Sequence, residues 1–160
     1  MGYQAIIKTP LPELLLGLKL NLTHATVEGI EFVIGQQQTF CQSEPFTKHV
    51  VCQIEAYFSD PTKKIALPIT IKGTEYQQKV WQALKAIPCG RVLTYGQLAA
   101  ELKSSPRAVG AACRTNPVPL IVPCHRVVAK TGYGGYAGDV TGVLARFKRW
   151  LLAHEGFVRG

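Results

Sequence analysis

"TYGQLAAELKSSPRAVGAACRTNP", Thr94 to Pro117, spells two helices and the turn between them. Thr94 and Gln97 form a capping box, with each side chain placed to satisfy the backbone N–H of the other residue. The helix they open continues through Leu98 to Leu102. Ser105 is a natural N-cap, and Pro106 suits the first helical position, where a missing N–H costs nothing. Asn116-Pro117 ends the second helix. Two short helices joined by a tight polar turn predict a helix-turn-helix.

The second of these helices has an unusual face. Arg107, Gly110, Ala111 and Arg114 share one side by the i, i+3, i+4, i+7 rule. A core-facing stripe would carry large apolar residues, whereas this one carries two cations around very small side chains. Two readings stay open on the pattern alone. The backbone is laid bare for a phosphate-bearing partner, or Gly110 and Ala111 permit tight packing against another helix of the same chain.

Charge separates the two. The chain of 160 residues carries a net +8. Residues 1–73 balance six basic against six acidic residues, while residues 74–160 hold twelve basic and four acidic. The whole excess lies beside the small-residue helix, as expected for a polyanion partner.

Downstream, "LIVPCHRVVA", Leu120 to Ala129, reads as a buried strand or strand pair with a turn after Pro123. Its centre sets Cys124, His125 and Arg126 side by side. A thiol becomes a nucleophile as thiolate, and a histidine acting as base needs an orienting partner, usually a carboxylate. The second part offers Glu75, Glu101, Asp139 and Glu155. Glu155 closes the last helix, "VTGVLARFKRWLLAHEG", whose face Val143, Phe147, Trp150 is expected to be buried. A carboxylate at a helix C-terminus opposes the macrodipole, which marks Glu155 as a functional candidate, although from placement alone a side chain pointing to solvent is the simpler reading. A Cys-His pair alone is more often structural than catalytic.

Upstream, Thr74 and Gln77 form another capping box. Val80, Leu84 and Ile87 repeat on one face until Pro88. The chain divides near residue 70, giving expected domains 1–70 and 71–160. "LLLGLKL" and "VEGIEFVIG" read as strands, and "HVVCQIEAYF" reads as an amphipathic helix over Val50, Ile54 and Tyr57, stopped by Ser59-Asp60-Pro61. Cys41, His49 and Cys52 lack a fourth ligand at zinc-like spacing, so small buried structural thiols are expected there and no metal. At 47% hydrophobic and 18% charged, the composition is globular. Five cysteines at irregular spacing, no leader pattern and no long apolar run predict an intracellular, cytoplasmic protein (nuclear if eukaryotic) that binds no membrane.

"NPVPLIVPCHRVV", with "TYGQLA" and "PRAVG" before it and "GYAG" and "WLLAHEG" after it, resembles the O6-alkylguanine-DNA alkyltransferase family from about Thr74 to Gly156. The resemblance implies an α/β protein with a small ribonuclease-H-like sheet domain and a mostly helical, helix-turn-helix domain. It implies a monomer acting on double-stranded DNA that carries O6-alkylguanine, with O4-alkylthymine as a second candidate lesion and no cofactor. Cys124 would accept the alkyl group irreversibly. His125 would act as base through a water, Glu155 would orient His125, and Asn116 would brace the turn. Tyr95 would donate a proton to the leaving purine and crowd the 3′ phosphate. Arg107 would fill the gap of the flipped nucleotide, with Gly110, Ala111 and Arg114 against the minor groove. The "GYGGYAG" loop, Gly132 to Gly138, would be a glycine-rich flap, with Val122, Tyr136, Ala137 and Gly138 binding the base. Ala137 departs from members that carry a serine there. Two rival readings are a cysteine hydrolase on Cys124, His125 and Glu155, and a DNA-binding regulator without chemistry.

Overall fold

The structure, a computed structural model, describes residues 2–35, 37–139 and 142–157. The chain separates into two compact units, Met1–Ile71 and Lys72–Gly160.

The first unit is an antiparallel sheet with one helix against it. Strands β1 (Ala5–Lys8), β2 (Leu14–Asn21), β3 (Thr26–Ile34) and β4 (Phe40–Cys41) lie in the order β3-β2-β1-β4. The leucine run fixes β2 at the centre. Leu14, Leu16, Leu18 and Leu20 are buried on one face, while Leu15 joins Ile6 and Val33 in a smaller cluster on the other. Register slips between Lys19 and Leu20, which pair with Gly29 and Val27, so Glu28 is the extra residue of a bulge. Helix α1 (Pro45–Ser59) is capped by Glu44 and buries Val50, Ile54 and Tyr57, as its spacing predicts. The three residues weighed for metal do not behave as core: Cys41, His49 and Cys52 are all exposed. Cys41 ends a two-residue edge strand and Cys52 lies on the outer face of α1, positions their residue type alone does not disclose.

The second unit is mostly helical: α2 (Glu75–Lys85), α3 (Tyr95–Leu102), α4 (Pro106–Arg114) and α5 (Val143–His154). Both capping boxes form, around Thr74 with Gln77 and Thr94 with Gln97. Lys103 takes the left-handed conformation at φ 53° to end α3, and Ser105 accepts from Ala108 N to start α4. The inner face of α4 buries Val109, Ala112 and Cys113, and Trp81 Nε1 donates to Ala112 O (2.9 Å), tying α2 to α4.

Two expectations need correction here. The stretch Leu120–Ala129 is not a strand pair. Only Val127–Val128 is strand (β6), parallel to β5 (Leu93–Thr94); Leu120 has φ 77°, and Cys124–Arg126 is a 3-10 turn. Pro117, Pro119 and Pro123 cannot donate to a ladder, so this apolar run is buried as turns. The buried stripe of α5 is Ala145, Phe147, Lys148, Leu151 and Leu152, with Val143 and Trp150 only half-buried. Trp150 instead stacks on His154 at 4.5 Å between ring centroids. Val140 and Thr141, where that sequence stretch begins, lie outside the described residues. No helix among the described residues is long and apolar enough to cross a membrane.

Candidate active site

The turn after Pro123 carries Cys124 into the interior, leaving it 6% exposed. Asn116, just past the end of α4, holds the turn with both ends of its amide. Its Nδ2 donates to Val122 O (2.7 Å), and its Oδ1 accepts from Val118 N (3.0 Å). Cys124 N also donates to Val122 O (2.8 Å). Burial pushes the Cys124 thiol up, against the opposing pull of the Asn116 amide, Lys148 and Tyr136. Cys124 is therefore held as a thiol at neutral pH and needs a base.

His125 and Glu155 meet behind it. His125 Nε2 lies 2.8 Å from Glu155 Oε2, and both side chains are almost wholly buried. A carboxylate accepts, so Nε2 carries the proton. Nδ1 is then the ring's basic nitrogen, and it is buried with no hydrogen-bond partner among the described residues. Burial pushes His125 down despite Glu155, so the ring is neutral. The solvent-facing alternative for Glu155 is overturned. The last turn of α5 points its carboxylate inward, where Arg126 forks onto it, Nε to Oε1 and Nη2 to Oε2, each at 2.9 Å. Arg126 Nη1 donates to Ile87 O (2.7 Å), so this guanidinium has a structural task as well.

In front of Cys124 lies a cavity of about 540 Å³. Its walls gather residues far apart in sequence: Tyr95 from the start of α3, the outer face of α4, and the flap segment Gly135–Gly138. Arg107, Gly110, Ala111 and Arg114 all face it, as do Tyr136 and Ala137. The alternative of Gly110 and Ala111 packing against another helix is thereby overturned: Ala111 is exposed, and a Cβ on Gly110 would meet nothing nearer than the Tyr95 ring at 4.0 Å. Val122 does not line the cavity; it is fully buried and its carbonyl already accepts twice. Ala137 has φ 52°, and Gly132, Gly134 and Gly138 are also in the left-handed region, so the flap turns in a way most side chains resist. Burial pushes the Tyr95 hydroxyl well up, so it keeps its proton.

Two features near Cys124 have no counterpart in the sequence analysis. Lys148 is completely buried on α5; its Nζ donates to Val127 O (2.7 Å) and Gly135 O (3.0 Å) and lies 5.7 Å from the Tyr95 ring centroid. Burial pushes it down to about 8. Its signal was a lysine three and four residues before the buried Leu151 and Leu152. The other is Cys113, on the inner edge of α4, which, unlike Lys148, lines the cavity. No cluster of three metal-ligating side chains occurs among the described residues.

Residues 75–157 match the DNA-binding domain of 6-O-methylguanine DNA methyltransferase. The chain is 40% identical over 157 residues to the methylated-DNA–protein-cysteine methyltransferase of Methanosarcina mazei, covering 96% of each chain. It is 54% identical over 89 residues to that of Salmonella typhimurium, covering 54% of this chain and only about half, 49%, of the relative. The crystal structure of Mycobacterium tuberculosis O6-methylguanine methyltransferase superposes with a TM-score of 0.71 at 30% identity, over 94% of this chain and 90% of that one. The Mycobacterium tuberculosis OGT in complex with DNA gives 0.72, with the same identity and coverage. With a match over half its length and a near-full-length relative at this identity, the chain belongs to the 6-O-methylguanine DNA methyltransferase family.

Proposed function

We propose that this protein repairs DNA by moving the alkyl group of O6-alkylguanine onto Cys124, once per molecule. The observation that carries this reading is the meeting of a buried, base-backed thiol with a cavity walled by the cationic, small-residue face of α4.

The residues divide the work. His125 Nδ1 takes the thiol proton through a water, while Glu155 fixes the ring by accepting from Nε2. Arg126 keeps the Glu155 carboxylate anionic, so its role is to orient and stabilise the imidazolium. The Lys148 charge and the Asn116 amide favour the thiolate as it forms. The sulfur attacks the sp³ carbon in line with the C–O6 bond, an S–C bond forms, and the C–O6 electron pair leaves with the purine. Tyr95, still protonated, supplies the proton that the guanine regains. Backbone groups of Tyr136, Ala137 and Gly138 border the base.

Helices α3 and α4 serve as the helix-turn-helix, with α4 in the minor groove. Arg107 holds the space of the flipped nucleotide, because the thiol cannot reach O6 within a stacked duplex. Arg114 and the basic excess of this unit hold phosphates. The protein works as an intracellular monomer on double-stranded DNA, with O4-alkylthymine as a second lesion. The first unit is a structural, ribonuclease-H-like domain.

An intact-mass spectrum after incubation with O6-methylguanine duplex tests the reading. The expected result is one added CH₂ on the peptide holding Cys124, no second turnover, and no reaction in Cys124→Ala. Repeated turnover by one molecule would overturn it in favour of a hydrolase.

A further inference from the structure

Alkyl transfer needs one thiol, yet the cavity has two. Of the five cysteines, Cys41, Cys52 and Cys89 are exposed, and the two buried ones, Cys113 and Cys124, line the same cavity. Asn116 links them. Its backbone N donates to Cys113 O (3.3 Å), which stacks it one turn beyond Cys113, and its side-chain amide borders the Cys124 thiol. Tyr95 and Lys148 are each in electrostatic reach of both sulfurs.

We propose that Cys113 and Cys124 form a dithiol site that two-electron oxidants such as hydrogen peroxide convert to a disulfide, closing the acceptor cysteine reversibly. The chemistry balances in two steps. The Cys124 thiolate attacks one peroxide oxygen, the O–O bond breaks, and Cys124 sulfenic acid and hydroxide result; hydroxide and the thiol proton make water. The Cys113 sulfur then attacks the sulfenic sulfur, an S–S bond forms, the S–O bond breaks and a second water leaves. Two thiols lose two electrons to one peroxide. A thiol reductant returns the pair by exchange.

The two sulfurs have distinct roles. Cys124 has the neighbouring base and charges that assist its thiolate. Burial pushes Cys113 up to about 12, so it stays a thiol unreactive towards peroxide, and in the second step its proton passes to the sulfenic oxygen that leaves as water. Without Cys113, peroxide would carry Cys124 on to sulfinic acid, from which thiols do not rescue it. A nucleophile that can be used only once gains from such protection.

Trypsin makes the test direct, because cleavage after Arg107, Arg114 and Arg126 places Cys113 and Cys124 in separate peptides, 108–114 and 115–126. The whole protein is treated with stoichiometric peroxide, its remaining thiols are blocked under denaturing conditions, and the digest is read without reduction. The expected product is those two peptides joined by a disulfide. In parallel, wild type and Cys113→Ser are oxidised with several equivalents of peroxide, then treated with dithiothreitol, and each is compared with its own untreated alkyl acceptance. Wild type should recover, whereas Cys113→Ser should stay inactive with a sulfinic acid on Cys124. Oxidation of Cys124 without the joined peptides, or equal recovery of the two proteins, would overturn the proposal. The cross-link is read by mass alone, so it stands or falls separately from the alkyl-transfer reading.

Discussion

Glu155 Oε2 lies 2.8 Å from His125 Nε2, and Arg126 grips the same carboxylate from its other side. His125 is therefore under the influence of a carboxylate and a guanidinium with opposite effects. Glu155 raises the His125 pKa and Arg126 lowers it, while burial outweighs both. Removing Arg126 in Arg126→Met should move the His125 titration up, and Glu155→Gln should move it further down. Both shifts can be followed by the imidazole proton resonances. Glu155→Gln should slow transfer by about 100-fold, the lower range for losing a positioned base. It should cost about 3–5 kcal/mol in stability, since it strands Arg126 in a buried pair. Wild-type transfer in this variant would reduce Glu155 to a helix-end residue.

The lowered His125 pKa also fixes a pH dependence. Below the ordinary value of 6.5, the unfolded chain binds a proton that the native ring refuses. Stability therefore rises with pH through the window beneath 6.5 and is lost as pH falls through it. Urea denaturation at several pH values, in wild type and His125→Asn, checks this; the wild type should lose more on acidification. Transfer should hold its rate down through pH 6.5, because the base is still neutral there. A rate that already halves at pH 7 would contradict the assignment.

Lys148 gives a second window of the same sign at alkaline pH. Its folded pKa of about 8 lies below the ordinary 10.5, so between those values the unfolded chain holds the extra proton. Wild type should accordingly gain stability on Lys148→Met as pH rises from about 8 towards 10.5. At neutral pH the same variant leaves Val127 O and Gly135 O without their donor, at about 1–3 kcal/mol for each unsatisfied group. It also frees the flap from β6, so transfer to free base and duplex should slow together. Unchanged transfer would show that the amine only fills space.

Much of this site can be read in the sequence because local rules dominate there. Two capping boxes, Ser105-Pro106 and Asn116-Pro117 define α2 to α4, and the outward face of α4 follows from helical spacing alone. The Cys124 turn was misread because apolar content marks burial without marking hydrogen bonding, and prolines had already removed the donors a strand needs. Glu155 looked ambiguous because its partners are about thirty residues away, a separation that no local pattern encodes. Lys148 was missed for a related reason: its buried amine makes sense only once the carbonyls of Val127 and Gly135 converge on it. Cys41 and Cys52 failed in the opposite direction, since residue type suggested core while edge and helix position left them exposed.

Asn116 separates support of the turn from chemistry. Asn116→Ala removes both hydrogen bonds to Val118 and Val122 and the amide that lowers the Cys124 pKa. The loss should cost about 1–3 kcal/mol and shift the pH profile of Cys124 alkylation by iodoacetamide upward. Asn116→Asp keeps the acceptor for Val118 N but sets a negative charge against Val122 O and the forming thiolate. It should shift that profile at least as far. A profile that does not move in either variant would limit Asn116 to holding the loop.

Arg107 separates DNA handling from the displacement. It is the second residue of α4, exposed, and placed at the rim of the cavity rather than beside Cys124. Rotating a nucleotide out of the duplex costs a few kcal/mol of stacking and pairing. A guanidinium can offset part of that by stacking on the flanking bases and donating to the orphaned partner. It has no part in S–C bond formation. Arg107→Ala should therefore slow repair of O6-methylguanine in duplex DNA by about 10-fold or more, equivalent to about 1.4 kcal/mol of lost support for the flipped state. Reaction with free O6-benzylguanine, which needs no extrusion, should keep nearly its wild-type rate. Arg107→Lys restores phosphate attraction without a planar group to stack, so it should remain slow on duplex while regaining salt-dependent binding. Second-order rates for the three proteins on both substrates decide the matter. Equal losses on duplex and free base would mean that Arg107 shapes the cavity, and its role in nucleotide flipping would have to be withdrawn.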